Sequence, residues 1–274
     1  MKIGSGDFKT EGKTYIMGIL NVTPDSFYDG GSLKRERDLY SRIETMIKDG
    51  ADIIDVGGES TRPGYTAVSA DEELSRVIPA IKAIRRVSDI PVSVDTMKAE
   101  VAKESVREGA DLINDVWGGS DKDMRELIAK EGVACCLMHN RKEIYRECSK
   151  EDYIDKLNKE LKAIADNALL GGINADRIIL DPGIGFSKSH RQNLLIMGNL
   201  ERLKEAGYPM LLGASRKSFI GKALLLEKED RLEGTLTASI MGAMAGYMFV
   251  RVHDIRENRR AIDMFEAIKK ESEI

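Results

Sequence analysis

YIMGILN, residues 15–21, is a continuous apolar run that ends on the amide side chain of Asn21. Apolar residues that are continuous rather than alternating are typical of a parallel β-strand that is covered on both faces. Runs of the same kind recur along the chain, namely DIIDVG (52–57), PVSVD (91–95), LINDV (112–116), VACCLM (133–138), RIILD (177–181), PMLLG (209–213) and MFVRV (248–252).

Helical patterns separate these runs. Leu39, Ile43 and Met46 recur on one helical face after the first run, and Gly50 stands just before the second, where a helix end favours glycine. Alternating strands and helices indicate either a closed (β/α)8 barrel or a doubly wound sheet. The number of units and the length of 274 residues favour a TIM barrel. We expect a single domain over residues 1–274, with residues 1–13 as a short N-terminal extension that forms a hairpin or plug.

The composition is that of an ordinary globular protein, with 42% apolar and 32% charged residues. A net charge of −4, with acids and bases interspersed, argues against a general nucleic-acid or membrane binder. The N-terminus lacks the apolar core of a signal peptide, and the apolar stretch at 239–250 is shorter than a membrane span. Cys135, Cys136 and Cys148 form no C-x-x-C pair, so we predict a reducing, cytoplasmic setting.

Every predicted strand ends on polar side chains, and the active site of a (β/α)8 barrel lies at these ends. Such residues could simply cap the following helices, and capping explains Thr96, Asp115 and Asp254. It does not explain the cations Lys217 and Arg251, because helix N-termini prefer acceptors. We therefore predict a charged site at this end of the barrel.

Asp95, Asn114 and Asp181 follow three different predicted strands and would converge in one mouth. Carboxylate and amide groups suit a planar heterocycle with amino and ring N–H donors, and Lys217 could donate to a carbonyl on the same ring. Two alternatives stay open, namely an acid–base pair of aspartates, as in a glycosidase, and buried aspartates that cap their own loops. The glycosidase alternative leaves Asn114 and Lys217 without a role.

Arg251 and His253 lie two residues apart near the end of the last predicted strand and share one side of it. Arginine binds phosphate bidentately, and barrel phosphate sites often lie near the last two strands. Asn21 would lie beside them, where an amide oxygen next to a diphosphate could bind Mg²⁺. The polar loops after the first two runs are candidate lids. No nucleophile–base pair is evident, since Ser215 and Ser218 lack an obvious nearby base.

The sequence resembles the dihydropteroate synthase family, the folate-pathway enzymes that sulfonamides inhibit. The resemblance is carried in order over nearly the whole chain by MGILNVTPDSF (17–27), DVGGESTRPG (55–64), SVDT (93–96), INDV (113–116), DPGIGFSK (181–188), GASRKSFIG (213–221) and RVHD (251–254). It implies a (β/α)8 barrel that joins 6-hydroxymethyl-7,8-dihydropterin diphosphate to p-aminobenzoate and releases diphosphate, commonly as a homodimer. One departure is Ser187, where the family commonly has glycine.

The resemblance also implies a ligand for each matching residue. The pterin would contact Asp95, Asn114, Asp181 and Lys217, with Met138 and Phe186 on its faces. Mg²⁺ would bind Asn21, and the diphosphate would contact Arg251 and His253, with Thr61 and Arg62 nearby. The p-aminobenzoate pocket would include Phe27, Pro63 and Ser218.

The implied chemistry is a dissociative substitution at the exocyclic methylene of the pterin. Diphosphate leaves once Mg²⁺, Arg251 and His253 stabilise its charge, and Asp95 and Asp181 stabilise the resulting cation, with assistance from Asp25. The arylamine is an adequate neutral nucleophile, so no activated side chain is required.

Two other functions stay open at this point. A methyltransferase that moves a methyl group from methyltetrahydrofolate to a corrinoid would share the barrel and the pterin-holding Asp and Asn. It would have no diphosphate for Arg251 and His253 to hold. A catalytically silent paralogue could bind pterin or a protein partner alone, although the intact set of site residues argues against it.

Overall fold

The structure is a computed structural model that describes residues 1–23, 32–59, 67–141 and 149–272. Its strands are β1 (Lys2–Ile3), β2 (Gly6–Asp7), β3 (Tyr15–Asn21), β4 (Ile53–Gly57), β5 (Val92–Asp95), β6 (Leu112–Asp115), β7 (Ala134–Met138), β8 (Ile178–Asp181), β9 (Leu211–Leu212) and β10 (Phe249–Val252).

Helices follow most of the strands. They are α1 (Ser32–Lys48), α2 (Ala70–Val87), α3 (Ala99–Arg107), α4 (Lys122–Glu131), α5 (Lys150–Leu170), α6 (His190–Met197), α7 (Leu200–Leu203), α8 (Ser218–Leu224), α9 (Leu232–Met244) and α10 (Ile255–Ser272). Short 3₁₀ turns cover Ala175–Arg177 and Lys204–Ala206. Within the described ranges, no helix is both long and apolar enough to cross a membrane.

The strands from β3 to β10 form one parallel sheet, in the order β8-β7-β6-β5-β4-β3-β10-β9. A parallel bridge between Leu180 and Met210 joins β8 to the residues before β9, and the Leu180 N–H donates to the Pro209 carbonyl at 2.9 Å. The sheet therefore closes on itself, and the predicted (β/α)8 barrel is confirmed. Each apolar run predicted from the sequence contains one of these strands.

Successive residues of a barrel strand face opposite sides. On β4, Ile54 and Val56 belong to the core between the sheet and the helices, whereas Ile53 belongs to a second core inside the barrel. Asp55 shares the inward face with Ile53 and lies one layer closer to the carboxyl end of the strand. The interior is thus apolar at the amino end of the strands and charged toward the carboxyl end.

The N-terminal residues close the apolar end of the barrel. β1 and β2 pair as an antiparallel hairpin, and Ile3 and Phe8 are buried in the interior core with Tyr15 and Phe249. The rings of Phe8 and Tyr15 meet edge to face, with centroids 4.8 Å apart. The open mouth is therefore at the opposite end, where the carboxyl ends of the strands lie.

Local signals set the outer helices. α1 buries Ile43 and Met46 on the predicted face, and Gly50 follows it with a φ of 94°, a conformation that favours glycine. α2 begins after Ser69, whose hydroxyl oxygen accepts the Glu72 N–H at 3.2 Å. Gly50 therefore marks the end of α1 before β4, and Ser69 marks the start of α2.

Candidate active site

The barrel brings three predicted polar residues to the inner face of its open mouth. Asp95 lies opposite Asn114 in the pairing of β5 with β6, and Met138 lies opposite Asp181 in the pairing of β7 with β8. All four side chains are buried. The structure therefore places Asp95, Asn114 and Asp181 around the open mouth of the barrel, as the sequence predicted. The space that they border at this mouth is called the cavity below.

Arg251 lies inside the barrel between two carboxylates. Its Nε is 2.6 Å from Oδ2 of Asp55, and its Nη2 is 2.8 Å from Oδ2 of Asp95. The guanidinium thus faces acids on β4 and β5, and the predicted contact of Arg251 with a diphosphate stays a prediction. No role was predicted for Asp55, although an aspartate within the apolar run DIIDVG was a usable signal.

The two predicted aspartates, Asp95 and Asp181, both have raised pKa values. Burial raises the pKa of Asp95 to about 7, although Arg251 acts in the opposite direction. Burial also raises the pKa of Asp181, while Lys217 and the Gly183 N–H, 2.7 Å from Oδ1, lower it. Oδ1 of Asp95 is buried without a hydrogen-bond partner among the described residues. A buried acceptor of this kind is suited to a ligand donor.

Lys217 approaches the same cavity from the residues after β9. Burial lowers its pKa to about 8, while the charge of Asp181 raises it. Its Nζ donates to the Ile184 carbonyl and lies 4.5 Å from the centroid of the Phe186 ring. A side chain at Gly213 would place Cβ 3.5 Å from Oδ2 of Asp181 and 3.6 Å from Nζ of Lys217. Glycine therefore keeps space open between an acceptor and a donor.

An apolar group borders the polar cavity. Met138 packs with Met97 and Val116 in a small buried cluster, and Phe186 lies against it. Met138 and Phe186 were predicted to flank a flat ring, whereas Met97 and Val116 were missed. Each missed residue stands two positions after Asp95 or Asn114, so the alternation of strand side chains was the available signal.

His253 has a partner that the sequence analysis did not find. Its Nδ1 lies 3.0 Å from Oγ of Ser215, and that oxygen also accepts the His253 backbone N–H at 3.2 Å. Burial lowers the pKa of His253 to about 3, and the Arg251 charge acts in the same direction. The statement that Ser215 lacks a nearby base was wrong, because residues after β9 and β10 meet at the mouth. Ser218 is exposed at the start of α8.

The prediction that Thr96 and Asp115 cap the following helices was wrong, because the N-cap positions of α3 and α4 are Lys98 and Asp121. Both side chains instead accept N–H groups of the loops that follow their strands. The Asp115 carboxylate accepts the N–H groups of Trp117 and Gly119 at 2.8 and 2.7 Å, and Oγ1 of Thr96 accepts that of Lys98 at 3.2 Å. The Asp254 side chain instead accepts from Arg216, whose Nε is 2.9 Å from Oδ2. Capping therefore does not describe the whole role of Asp254, because its side chain also fixes Arg216, the residue before Lys217.

Asn21 is the last residue of β3, the strand that lies between β4 and β10. It lies opposite Gly57 on β4, and Gly57 in turn lies opposite Asp95 on β5. A Cβ at Gly57 would lie 3.3 Å from Oδ1 of Asn21. In the part of the chain that the structure describes, no cluster of three His, Cys, Asp or Glu side chains could hold a metal ion. Mg²⁺ commonly uses one or two protein oxygens with phosphate oxygens and waters. The donor set therefore fits a cation that is bound together with a diphosphate.

A family model described as a pterin binding enzyme matches residues 17–253. The chain belongs to the pterin binding enzyme family.

Named members of this family are similar over nearly their whole length. The dihydropteroate synthase of Clostridium beijerinckii is 55% identical, over 98% of this chain and 99% of the relative. A dihydropteroate synthase from Clostridium difficile, crystallised in the presence of pteroic acid, is 45% identical with a TM-score of 0.87, and 98% of each chain is covered. The Xanthomonas albilineans enzyme with 4-aminobenzoic acid is 37% identical with a TM-score of 0.88, over 94% of this chain and 93% of that one.

Several predicted site residues of this pterin binding enzyme lie outside the described residues. Asp25 and Phe27 belong to the stretch after β3, and Thr61, Arg62 and Pro63 belong to the stretch after β4. The roles predicted for them stay predictions. The described part of the site therefore comprises the ends of β5, β6 and β8 and the ends of β3, β9 and β10.

Proposed function

We propose that this chain condenses 6-hydroxymethyl-7,8-dihydropterin diphosphate with p-aminobenzoate to give 7,8-dihydropteroate and diphosphate. The observation that carries the proposal is the set of buried acceptors Asp95, Asn114 and Asp181 beside the half-buried donor Lys217. Relatives with the same barrel are dihydropteroate synthases, which favours this reaction over the corrinoid methyltransferase and over a silent paralogue.

The pterin would lie flat in the mouth. Asp95, Asn114 and Asp181 would accept its amino and ring N–H donors, and Lys217 would donate to its carbonyl. The apolar side of the cavity would cover the ring faces, with contributions from Met138, Met97, Val116 and Phe186. The open position at Gly213 supports this orientation, because it leaves room between Asp181 and Lys217.

The diphosphate would lie at the ends of β3 and β10. His253 is neutral near pH 7, and a hydrogen bond from the Ser215 hydroxyl to Nδ1 would leave its proton on Nε2, as a donor to phosphate oxygen. Arg251 would add positive charge from below. Asn21 would hold Mg²⁺ with the diphosphate oxygens, and the bound cation would supply charge stabilisation for the leaving group.

The substitution is proposed to be dissociative. The C–O bond between the exocyclic methylene and the diphosphate breaks with its electron pair on the diphosphate, and a cation conjugated with the pterin ring remains. The ionised carboxylates Asp95 and Asp181 stabilise this cation, and Asp25 assists from the first loop. The arylamine nitrogen then forms the C–N bond and loses one proton to solvent, so no side chain acts as a nucleophile. Phe27, Pro63 and Ser218 would hold p-aminobenzoate, and Thr61 and Arg62 would approach the diphosphate.

A direct assay tests the reaction. Purified protein is incubated with the pterin diphosphate and p-aminobenzoate, with and without Mg²⁺, and dihydropteroate and diphosphate are measured. We expect both products, with turnover lost on chelation and on the substitution Lys217→Ala. Lys222→Ala changes an exposed lysine of the same helical segment and should leave turnover intact. Folded protein that forms no dihydropteroate would rule the proposal out.

A second measurement tests the dissociative step. Substituted p-aminobenzoates of different amine basicity should give similar maximal rates, because bond breaking precedes attack by the amine. A steep dependence on basicity, with no pterin cation trapped by added nucleophiles, would exclude this mechanism.

We also propose a cytoplasmic homodimer. Buried free thiols at Cys135 and Cys136 suit a reducing compartment. Large apolar side chains are exposed on α8 and α9 and next to them, including Leu225, Met241 and Met244, and such surfaces often mark subunit contacts. Light scattering should give twice the monomer mass of 30.4 kDa. Met244→Glu should weaken the dimer, whereas Met264→Glu on α10 should not.

A further inference from the structure

Asp55 is a fully buried carboxylate for which the proposed reaction has no use. Its Oδ2 accepts from Nε of Arg251 at 2.6 Å, and its Oδ1 has no hydrogen-bond partner in the described part of the chain. Buried ion pairs contribute little net stability, since desolvation offsets the attraction. Stability alone therefore does not explain why a carboxylate lies at this position beneath the cavity.

The sheet register defines that position. Asp55 lies opposite Ser93, and two residues later Gly57 lies opposite Asp95. Asp55 is therefore one layer below Asp95 on the adjacent strand. Arg251 reaches both acids from β10, with β3 in between. Its guanidinium forms a bridge from the lower carboxylate to the upper one.

The geometry of this bridge decides what each contact can do. A guanidinium is planar and rigid, so a hydrogen bond at Nε fixes the plane and thereby the direction of Nη2. Nη2 is the group that contacts Oδ2 of Asp95. With Oδ2 engaged, Oδ1 of Asp95 is the oxygen without a partner among described residues. Without Asp55, Arg251 would keep one anchor instead of two.

We propose that Asp55 is a positioning residue for pterin recognition: it fixes the Arg251 guanidinium, which holds Asp95 with one oxygen available to the pterin N–H donors. The inference rests on the proposed function, because it takes the pterin as the ligand of Asp95. Asp55 itself lies below the cavity and acts only through Arg251.

The proposed role of Asp55 can be measured through the pKa of Asp95, which depends on the charges around it. Burial raises the pKa of Asp95, Arg251 lowers it, and neighbouring acids raise it further. The groups that face Asp95 come from several elements, namely Arg251 on β10, Asp55 on β4, Glu73 on α2, Asp115 on β6 and Lys217 after β9. Loss of the Asp55 charge alone would lower the pKa of Asp95, but Arg251 has the larger influence, so a guanidinium released from Asp55 should leave that pKa higher.

The test compares Asp55→Asn with Ser93→Ala in the full chain. Ser93 is equally buried, lies opposite Asp55 and carries no charge, which makes it a matched control. Binding of 6-hydroxymethylpterin is followed by fluorescence without turnover, and KM is measured for both substrates. At pH 8, Asp55→Asn should raise the pterin Kd and the pterin KM by about tenfold, the loss expected for one hydrogen bond to a charged group. The KM for p-aminobenzoate should stay unchanged.

The pH dependence separates positioning from a structural effect. The rising limb of kcat/KM, which follows ionisation of Asp95, should move to higher pH in Asp55→Asn and stay in place in Ser93→Ala. A move to lower pH would show that Arg251 keeps its place without Asp55, and would contradict the positioning role. Equal behaviour of the two variants, or a rise in both KM values with an unmoved limb, would overturn the proposal. If Asp55→Asn does not fold, Asp55→Ser removes the same charge with less crowding, and loss of folding in both would show a purely structural role. Wild-type protein that binds pterin without forming dihydropteroate would refute the reaction and leave the binding comparison valid.

Discussion

Asp55 and Arg251 meet inside the barrel, with the carboxylate Oδ2 2.6 Å from the guanidinium Nε. Their strands, β4 and β10, are separated by β3, and Arg251 continues to Asp95 on β5. One side chain thus connects distant parts of the barrel beneath the cavity. Pairs of this kind are expensive to break, because the remaining partners are left as uncompensated buried charges.

Removal of the Arg251 cation should therefore destabilise the folded protein. We expect Arg251→Met to lower the free energy of unfolding by about 3–5 kcal/mol at pH 8, the usual cost of breaking a buried pair. Arg107 provides the control, since its pair with Glu104 is exposed, and Arg107→Met should cost less than about 1 kcal/mol. Urea unfolding followed by circular dichroism measures both, and equal losses would contradict the argument.

The barrel itself was predictable from the sequence because its strands are buried on both faces. Such strands give continuous apolar runs, and their helices supply glycine at the ends, as at Gly50. The convergence of Asp95 and Asp181 followed from the same pattern, since the carboxyl ends of barrel strands share one mouth.

Other parts of the site depend on strand register and on contacts between distant residues, which one sequence does not show. Asp55 stands within an apolar run, and only the register reveals that it faces inward toward Arg251. Ser215 and His253 are far apart in sequence and meet because β9 pairs with β10. The sequence likewise could not show that Arg251 is already bound to two carboxylates.

The reaction should have a narrow pH optimum. Burial raises the pKa of Asp95 to about 7, so below this pH the acid is protonated and loses an acceptor for the pterin. Burial lowers the pKa of Lys217 to about 8, so above this pH the amine loses the charge that its donor role uses. A plot of kcat/KM for the pterin diphosphate should therefore rise through pH 7 and fall above pH 8.

The substitution Lys217→Arg identifies the falling limb of this profile. Arginine does not titrate in the range, so the variant should keep the rising limb and lose the falling one, at reduced activity. A wild-type profile that stays flat from pH 6 to pH 9 would show that neither group controls the reaction.

A second buried charge cluster supports the end of β4. Lys98 contacts Glu59, the second residue after β4, and Glu73 on α2, and both carboxylates are buried. Lys98→Met should lower the free energy of unfolding by about 3–5 kcal/mol at pH 7, because two acids lose their cation. Lys82→Met removes the partner of Glu108 in an exposed pair and should cost less than about 1 kcal/mol. Chemical denaturation of both variants would show whether the cluster is structurally required.

Ser187 adopts a backbone conformation that disfavours its own side chain. Its φ is 49°, in the left-handed region, and its hydroxyl donates to Oδ1 of Asn140 at 2.7 Å. Glycine has no Cβ and accepts this conformation, but it also loses the hydrogen bond, so Ser187→Gly should leave the free energy of unfolding within about 1 kcal/mol of wild type. Ser187→Ala keeps the strain and loses the hydrogen bond, and should destabilise the protein by up to about 1 kcal/mol. Because both variants lose the hydrogen bond, their difference measures the strain alone, and thermal unfolding should rank glycine above alanine by about 1 kcal/mol. An alanine variant that equals the glycine variant would mean that the backbone conformation carries no strain.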